Sequence, residues 1–452
     1  MGLAHNQTSP PVGMPPTPDN GDQSPVLHAA PVHLTSGPLD PNMFPDRPRP
    51  GTSAVPGTIA NFAYLLDHYQ IHVRFNVIKK RVEIHIPDLE VTPQNRDNVT
   101  HMHLVSLAAK HGLPRACADD YMLSIADRYP CNPMAEWVSS QKWDGVDRRP
   151  QICATVTTEA EFPVWFRDVL MHKWLLSVVA ATFKPTGYRG RGVLTFQGPQ
   201  GLGKTSWFKG LISHPELRDE MIKLGHHWDG GSKDAKLTAL RHLIVELGEL
   251  EGSFRKDNAS LKSFITEDWD KIRPPYARMD NEYPRQTVFG ASVNEREFLQ
   301  DATGNSRFWT LPVVHIDYDH DVDMQQLFAQ LKVELDEGGQ WWLTPEEEAQ
   351  LTELNQHHRA MSAVGEKVRA VLDLTRKDQS DLQRMSAAQV LGVIRIDRPT
   401  NAQFKECNAV LRECLGESKR INGVNKWRVP LIIPDEGGLK PMSPRNEPND
   451  TF

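Results

Sequence analysis

The sequence predicts an α/β fold in which a parallel sheet is flanked by helices. Three segments predict this fold. Residues 192–197 form an apolar run typical of a buried strand, and a glycine-rich turn and a helical segment follow it. Residues 243–246 and 287–294 are further apolar runs, and each ends in a polar side chain. Strands that alternate with turns and helices in this way are typical of parallel sheets covered by helices.

Length and composition indicate a soluble chain with several folded units. With 452 residues, 39% hydrophobic and 24% charged, the chain is long enough for two or three units. Its best apolar candidate, 174–183, is about half the roughly 18 residues that a membrane span needs, and no secretion signal is visible. Five scattered cysteines without a CxxC pair argue against a disulfide framework or a zinc site. We therefore expect a cytoplasmic protein with no membrane partner.

The glycine-rich turn has the spacing G-x-x-x-x-G-K-T of a phosphate-binding loop, or P-loop. Its glycines let backbone N–H groups turn toward phosphate oxygens, and the positive end of the next helix points there too. Lys204 is predicted to reach the β- and γ-phosphates, and Thr205 to bind Mg²⁺. The residues predicted to hold ATP are Gly198, Pro199, Gln200, Gly201, Leu202, Gly203, Lys204, Thr205 and Ser206.

Two carboxylates stand at the end of the strand at 243–246. A P-loop ATPase needs one acidic group beside Mg²⁺ and another that polarises the attacking water. We expect Glu246 at the metal, together with Thr205, and Glu249 as the catalytic base. Many related ATPases place two acids side by side and this chain does not, so the division of roles stays open. The alternative is a solvated acidic turn after a strand.

Two further polar residues complete the predicted catalytic set. Asn294 ends the strand at 287–294, where it is placed to touch the γ-phosphate or to orient the water; otherwise it caps the next helix. Arg307 lies in a short Gly-Asn turn ahead of an apolar strand. Such a position suits an arginine finger that reaches the ATP of a neighbouring subunit and contributes on the order of 10³–10⁵ in rate. The alternative for Arg307 is an ordinary surface charge.

Composition shifts divide the chain into six segments. The first is rich in proline and cannot bury enough apolar surface to become ordered. In the fifth, helices precede a strand at 426–433, and this segment is either a DNA-binding winged-helix-like module or a plain packing domain. The predicted segments are a disordered arm at 1–57, a small α+β domain at 58–132, a helical collar or linker at 133–190, the P-loop core at 191–360, the winged-helix-like domain at 361–433 and a flexible tail at 434–452.

Several motifs in fixed order resemble the virulence-associated protein E family of phages and mobile elements. They are W-D-G-V-D-R at 143–148, the loop at 198–205, V-E-L-G-E-L at 245–250, K-S-F at 262–264, R-P-P-Y at 273–276 and G-N-S-R-F-W at 304–309. The family is similar to superfamily 3 helicases of the AAA+ class. The resemblance implies an AAA+-like ring ATPase, a hexamer, that uses ATP and Mg²⁺ in phage-type DNA replication inside a bacterial host, with other replication proteins as further partners. Proteins of this family often carry a primase domain upstream. Residues 1–132 are short for such a domain and show no acidic metal cluster, so we predict no primase activity.

A basic stretch lies between the acidic strand and Asn294. In superfamily 3 relatives this interval holds a hairpin that projects into the pore of the ring. Basic side chains that follow the DNA backbone, with an aromatic ring to stack on bases, suit single-stranded DNA binding without sequence preference. The net charge of −7 does not exclude such a local basic channel, although interleaved acids would also suit a solvated surface. The predicted DNA-binding residues are Lys262, Lys271, Arg273 and Tyr276.

Two functions fit these predictions. The first is an ATP-dependent DNA helicase or replication ATPase that moves on single-stranded or forked DNA. The second is an AAA+ assembly or loading factor that acts on a protein partner without unwinding DNA. Both share the ATP-site residues, so only the basic interval distinguishes them.

Overall fold

The structure is a computed structural model, and it describes residues 37–92, 94–248, 260–272, 280–299, 305–358, 363–379 and 381–432. Contacts divide the chain into two compact units. The first falls within Met1–Asn76 and Arg81–Cys131, and the second within Val77–Lys80 and Asn132–Phe452. Among the described helices, none is both long enough and apolar enough to cross a membrane.

The first unit packs helices on a small sheet. Strand order is β2–β1–β3, with β1 antiparallel to β2 and parallel to β3. Its elements are α1 Ile59–His68, β1 His72–Asn76, β2 Arg81–His85, α2 Arg96–Lys110, α3 Ala116–Asp120, α4 Met122–Ala126 and β3 Pro130–Cys131.

Packing in this unit begins ahead of α1. Phe44 is buried in the core, whereas the sequence predicts a disordered arm over 1–57. The buried Asn61 accounts for this difference. Its amide exchanges hydrogen bonds with the backbone of Asp46 at 2.8 and 2.9 Å and donates to the Pro56 carbonyl at 2.9 Å. One buried apolar residue, Phe44, gives no periodic pattern in a proline-rich stretch, and its polar support, Asn61, lies outside that stretch. The sequence therefore carries no signal of this packing.

The second unit is built around a six-stranded sheet. Its strand order is β4–β11–β5–β10–β7–β6; β4 is antiparallel to β11, and the other neighbours are parallel. Residues 260–265 are also helical. The elements are α5 Pro133–Ser139, α6 Arg149–Ala154, β4 Val156–Thr158, α7 Val164–Phe183, β5 Val193–Gln197, α8 Lys204–Gly210, α9 Pro215–Met221, β6 Ile222–His226, α10 Lys233–Leu240, β7 Ile244–Leu247, β8 Trp269–Ile272, β9 Asn281–Pro284, β10 Val288–Val293, β11 Phe308–Ile316, α11 Met324–Asp336, α12 Pro345–Asn355, α13 Ala363–Ala370, β12 Arg384–Met385, α14 Ala387–Val393, α15 Asn401–Leu415, β13 Lys419–Ile421 and β14 Val424–Arg428.

Both faces of the six-stranded sheet are covered. Leu194 and Phe196 of β5 join a core with α7, α8 and α11, whereas Val193 joins a second core with β7 and β10. This alternation is the period of two that a strand imposes on its side chains. On the first face, the Trp174 indole of α7 donates to the Phe289 carbonyl of β10 at 2.7 Å. The sheet therefore has the parallel centre and helical layers that the sequence predicts, and β4 adds an antiparallel edge.

The last part of the second unit has its own small core. Helices α13, α14 and α15 surround a three-stranded sheet of order β12–β14–β13, in which all described pairs are antiparallel. Asn422 and Gly423 both have positive φ, as a two-residue hairpin turn requires. Strand β14 ends at Arg428, well before the predicted end at residue 433. The winged-helix-like domain predicted from the sequence has such an arrangement of three helices and three strands.

Gly290 of β10 provides a test of this packing. A Cβ there would lie 2.4 Å from Cε1 of the buried Phe208, which belongs to α8. Because a ring enclosed on all sides cannot move aside, we expect Gly290→Ala to destabilise the fold by about 1–3 kcal/mol. The matched control is Gly392→Ala in α14, where an added Cβ meets nothing within 4 Å. Thermal unfolding should show a lower midpoint for the first variant only; equal midpoints would contradict the packing of α8 on β10.

Candidate nucleotide-binding site

The loop at 198–205 joins β5 to α8 at the carboxyl edge of the parallel strands. Gly201 and Gly203 have φ of +90° and +83°, a region that favours glycine. At Gly203 a Cβ would also lie 2.1 Å from Cδ1 of Tyr318. The Gly198 amide donates to the Val293 carbonyl of β10 at 3.0 Å, which fixes the start of the loop. The glycine spacing is therefore required by the local backbone.

Lys204 occupies the centre of this loop. Lys204 is only 7% exposed, and its Nζ donates to the carbonyls of Gly198 and Pro199 at 2.6 and 2.8 Å. Nζ also donates to Oδ1 of Asn294 at 3.0 Å. Asn294 directly follows β10, the neighbour of β5 in the sheet. Two residues assigned to catalysis from separate parts of the sequence are thus in contact.

Thr205 and Glu246 form a second contact beside the loop. The Thr205 hydroxyl donates to Oε1 of Glu246 at 3.2 Å, and the Gly225 amide donates to Oε2 at 2.6 Å. Glu246 lies on β7 and is 1% exposed. Its partner across the sheet is Gly290 of the intervening strand β10. Glu246 on β7 and Thr205 at the start of α8 are thus in contact across the intervening strand β10.

The groups around the loop suit a magnesium triphosphate. Backbone amides and an ammonium group bind phosphate oxygens, and hydroxyl and carboxylate oxygens are the ligands that Mg²⁺ prefers. Burial lowers the pKa of His226, on the neighbouring strand β6, to about 4, so this imidazole is neutral at pH 7. The cleft has a volume of about 320 Å³ and is lined by Gln200, Gly201, Leu202, Gly203, Lys204, Thr205, Ser206, Gly225, Glu246, Gly248, Ser292 and Asn294.

Ser292 is a residue of this cleft that the sequence predictions missed. It lies two positions from both Gly290 and Asn294, so the three share one face of the chain by strand alternation. Its Oγ is buried and has no hydrogen-bond partner among the described residues. The signal available in the sequence was a second polar residue, Ser292, two positions before Asn294 at the end of an apolar strand.

Arg307 lies at the opposite end of the parallel strands, where β5 begins. It precedes Phe308, which is paired with Val193 at the start of β5, whereas the phosphate loop follows Gln197 at the end of β5. Four residue steps along a parallel strand separate these edges by roughly 13 Å. The position of Arg307 therefore favours contact outside its own phosphate loop, and its role as a finger stays a prediction. Glu249, the predicted base, lies outside the described residues.

The basic interval contains an antiparallel hairpin, β8 with β9. Lys271 of β8 is exposed and faces Glu282 of β9 in the pairing register. Trp269 is two residues from Lys271, on the same face of the strand, and is 53% exposed. Sequence reasoning missed this aromatic residue. The other predicted DNA contacts in the hairpin, Arg273 and Tyr276, lie outside the described residues.

Two basic residues near this hairpin are buried. Lys262 is 8% exposed, and its Nζ donates to Oδ1 of Asn305, in the turn that carries Arg307, at 3.4 Å. In this chain its ammonium is therefore directed into the subunit. Arg285 is almost fully buried, and its guanidinium makes two hydrogen bonds of 2.5 Å to the buried carboxylate of Asp270. The second pair fixes the base of the hairpin.

Fold and site define a mixed α/β protein whose six-stranded sheet carries a glycine-rich loop at its carboxyl edge. Residues 138–360 match the sequence model of the virulence-associated protein E-like domain. The chain therefore contains a virulence-associated protein E-like domain, which confirms the family that its motifs indicate.

No curated protein matches the chain. Among solved structures, it is similar to those of the C-terminal region of NrS-1. The A form apo structure has 12% sequence identity and a TM-score of 0.37, and a second A form apo structure has 14% and 0.38. Each similarity covers 81% of this chain and 98% of the other chain.

Proposed function

We propose that this chain is a P-loop ATPase of the AAA+ class that serves DNA replication in a phage or mobile element, as a ring-forming helicase. One observation carries the ATPase assignment. Four side chains from three neighbouring strand ends meet at the loop 198–205, with Lys204 bonded to Asn294 and Thr205 bonded to Glu246. The virulence-associated protein E-like domain, which includes all four residues, supports the link to replication.

Each residue has a distinct task in this proposal. The loop amides and Lys204 hold the triphosphate, and Thr205 and Glu246 hold Mg²⁺. When bound, the magnesium neutralises charge that develops on the β- and γ-phosphates. Asn294 orients the Lys204 ammonium and offers a polar group to the attacking water. Glu249 accepts the proton of that water.

Oligomer formation follows from the position of Arg307. An arginine at the amino edge of the sheet is poorly placed for the phosphates held at the carboxyl edge of the same subunit. In a head-to-tail ring, each subunit presents one edge to its neighbour, so Arg307 completes the site of the next subunit. We propose a ring of this kind, with a hexamer as the expected form.

The hairpin β8–β9 is the proposed contact with single-stranded DNA. Trp269 and Lys271 lie on one exposed face and combine a stacking ring with a positive charge. Arg273 and Tyr276 belong to the same hairpin interval and are proposed to extend this contact. The buried Arg285–Asp270 pair holds the base of the hairpin.

Nucleotide turnover should depend on the buried ammonium of the loop. In Lys204→Ala the loop lacks this charge, so ATP hydrolysis should fall by at least about 10²-fold. The control is Lys209→Ala, five residues later on the exposed part of α8, which should retain wild-type activity. Phosphate release would be measured with and without single-stranded DNA. A wild-type chain without ATPase activity under either condition contradicts the proposal.

A mixing experiment examines the trans role of Arg307. Arg307→Ala and Glu249→Gln subunits should each be inactive alone, and an equal mixture should regain about a quarter of wild-type ATPase activity, because one interface in four then holds both intact groups. The control mixture is Glu249→Gln with Lys204→Ala, whose defects lie on the same side of the interface and should not complement. Equal activity in the two mixtures would exclude the trans role.

Salt dependence of DNA binding distinguishes a helicase from an assembly factor. Lys271→Ala with Arg273→Ala should weaken binding of single-stranded DNA and reduce the slope of log K against log salt by about 0.7 for each phosphate that the variant no longer neutralises. Strand displacement should fall as well, while ATPase activity without DNA is retained. Glu282→Ala, which removes the acidic partner of Lys271 in the hairpin, should not weaken DNA binding. Unchanged DNA stimulation in the double variant would favour the assembly factor.

A further inference from the structure

Tyr318 is an aromatic residue just after the end of the strand that pairs with β5 opposite β10. It follows β11 by two residues, and its ring lies against the phosphate loop, where a Cβ on Gly203 would be 2.1 Å from Cδ1 and 2.7 Å from Cε1. Tyr318 is nevertheless 50% exposed. The ring thus contacts the loop closely and keeps much of its surface open to solvent.

The loop has two distinguishable sides. On one side, Asn294 and Glu246 contact Lys204 and Thr205 from the ends of β10 and β7. On the other side β5 is paired with β11, the strand that leads to Tyr318. If the γ-phosphate and the metal lie beside Glu246, the rest of a bound nucleotide extends away from β10 and β7. Its nucleoside then lies on the side of β11 and Tyr318.

We propose that Tyr318 forms one wall of a nucleobase subsite, where its ring stacks on the base of the nucleotide whose phosphates the loop holds. This inference rests on the proposed ATPase function and adds the group that recognises the base. Stacking on an aromatic ring accepts any base, because every base has a π face. The subsite accordingly favours nucleotides over inorganic polyphosphate, with little discrimination between purines.

A purely supporting role for Tyr318 is the competing explanation. The loop already has other support on this side, because a Cβ on Gly198 would lie 2.4 Å from the Val313 carbonyl of β11. Backbone contact from β11 therefore holds the loop independently of the Tyr318 ring. A supporting ring would also act on the phosphates and not on the base, and that difference can be measured.

The experiment compares ATP with inorganic tripolyphosphate, which has the phosphates and lacks the base. Binding of each to the full chain would be measured by calorimetry with Mg²⁺ for the wild type, Tyr318→Ala, Tyr318→Leu and Tyr318→Phe. We expect Tyr318→Ala and Tyr318→Leu to bind ATP about tenfold more weakly, and tripolyphosphate within about twofold of the wild type. Tyr318→Phe should keep both affinities, since the ring is retained. Leucine preserves apolar contact with Gly203 if alanine impairs folding.

Two results would overturn the subsite. Equal weakening of ATP and tripolyphosphate would assign Tyr318 to loop support, and unchanged ATP binding in Tyr318→Leu would remove the ring from recognition. A wild-type chain that binds neither ligand would overturn the ATPase proposal itself, and the subsite with it. Wild-type binding of tripolyphosphate as tightly as ATP would spare the phosphate loop and exclude the base subsite.

Discussion

The candidate site depends on the hydrogen bonds that surround the buried ammonium of Lys204. A charge removed from water is stable only when oxygen atoms surround it. Here the loop supplies two carbonyls and β10 supplies the Asn294 amide. The loop must therefore curve back on itself, which requires glycine at 201 and 203, and β10 must lie beside β5. Loop shape, strand order and the position of Asn294 together supply the oxygen atoms that surround this one charge.

The same sheet also separates the residues to which we assign different roles. The groups proposed to bind the nucleotide gather at the carboxyl edge, because β5, β7 and β10 are parallel and end together. Arg307 enters β11 at the opposite edge. A parallel sheet cannot bring its two edges together within one subunit, so a complete site of the proposed kind needs a neighbouring subunit. Oligomerisation in this scheme is a geometric consequence of strand direction.

Prediction from sequence worked where the signal is local. The run from β5 through the loop into α8 is contiguous, and its spacing alone indicates where Lys204 and Thr205 lie. Glu246 was also expected beside Thr205, because it ends an apolar strand, and the two residues meet across the intervening strand β10. The basic interval was misleading at Lys262, which was predicted to bind DNA but is 8% exposed and donates to Asn305. Asn422-Gly423 is a typical hairpin-turn sequence, but the apolar run after it led to the prediction of a strand at 426–433 alone.

Strand β10 connects the proposed nucleotide site to the hairpin. Its carboxyl end carries Ser292 and leads to Asn294, and its amino end is reached directly from Arg285 at the hairpin base. The Arg285 guanidinium lies 4.3 Å from the Phe264 ring centre, and Phe264 packs edge-on against Phe289 of β10. Removing one partner of a buried ion pair such as Arg285–Asp270 costs about 3–5 kcal/mol, because the other charge is left buried and unpaired. A continuous set of packed residues thus runs from Asn294 along β10 to the base of the hairpin, where the proposed function needs nucleotide and DNA contacts to be linked.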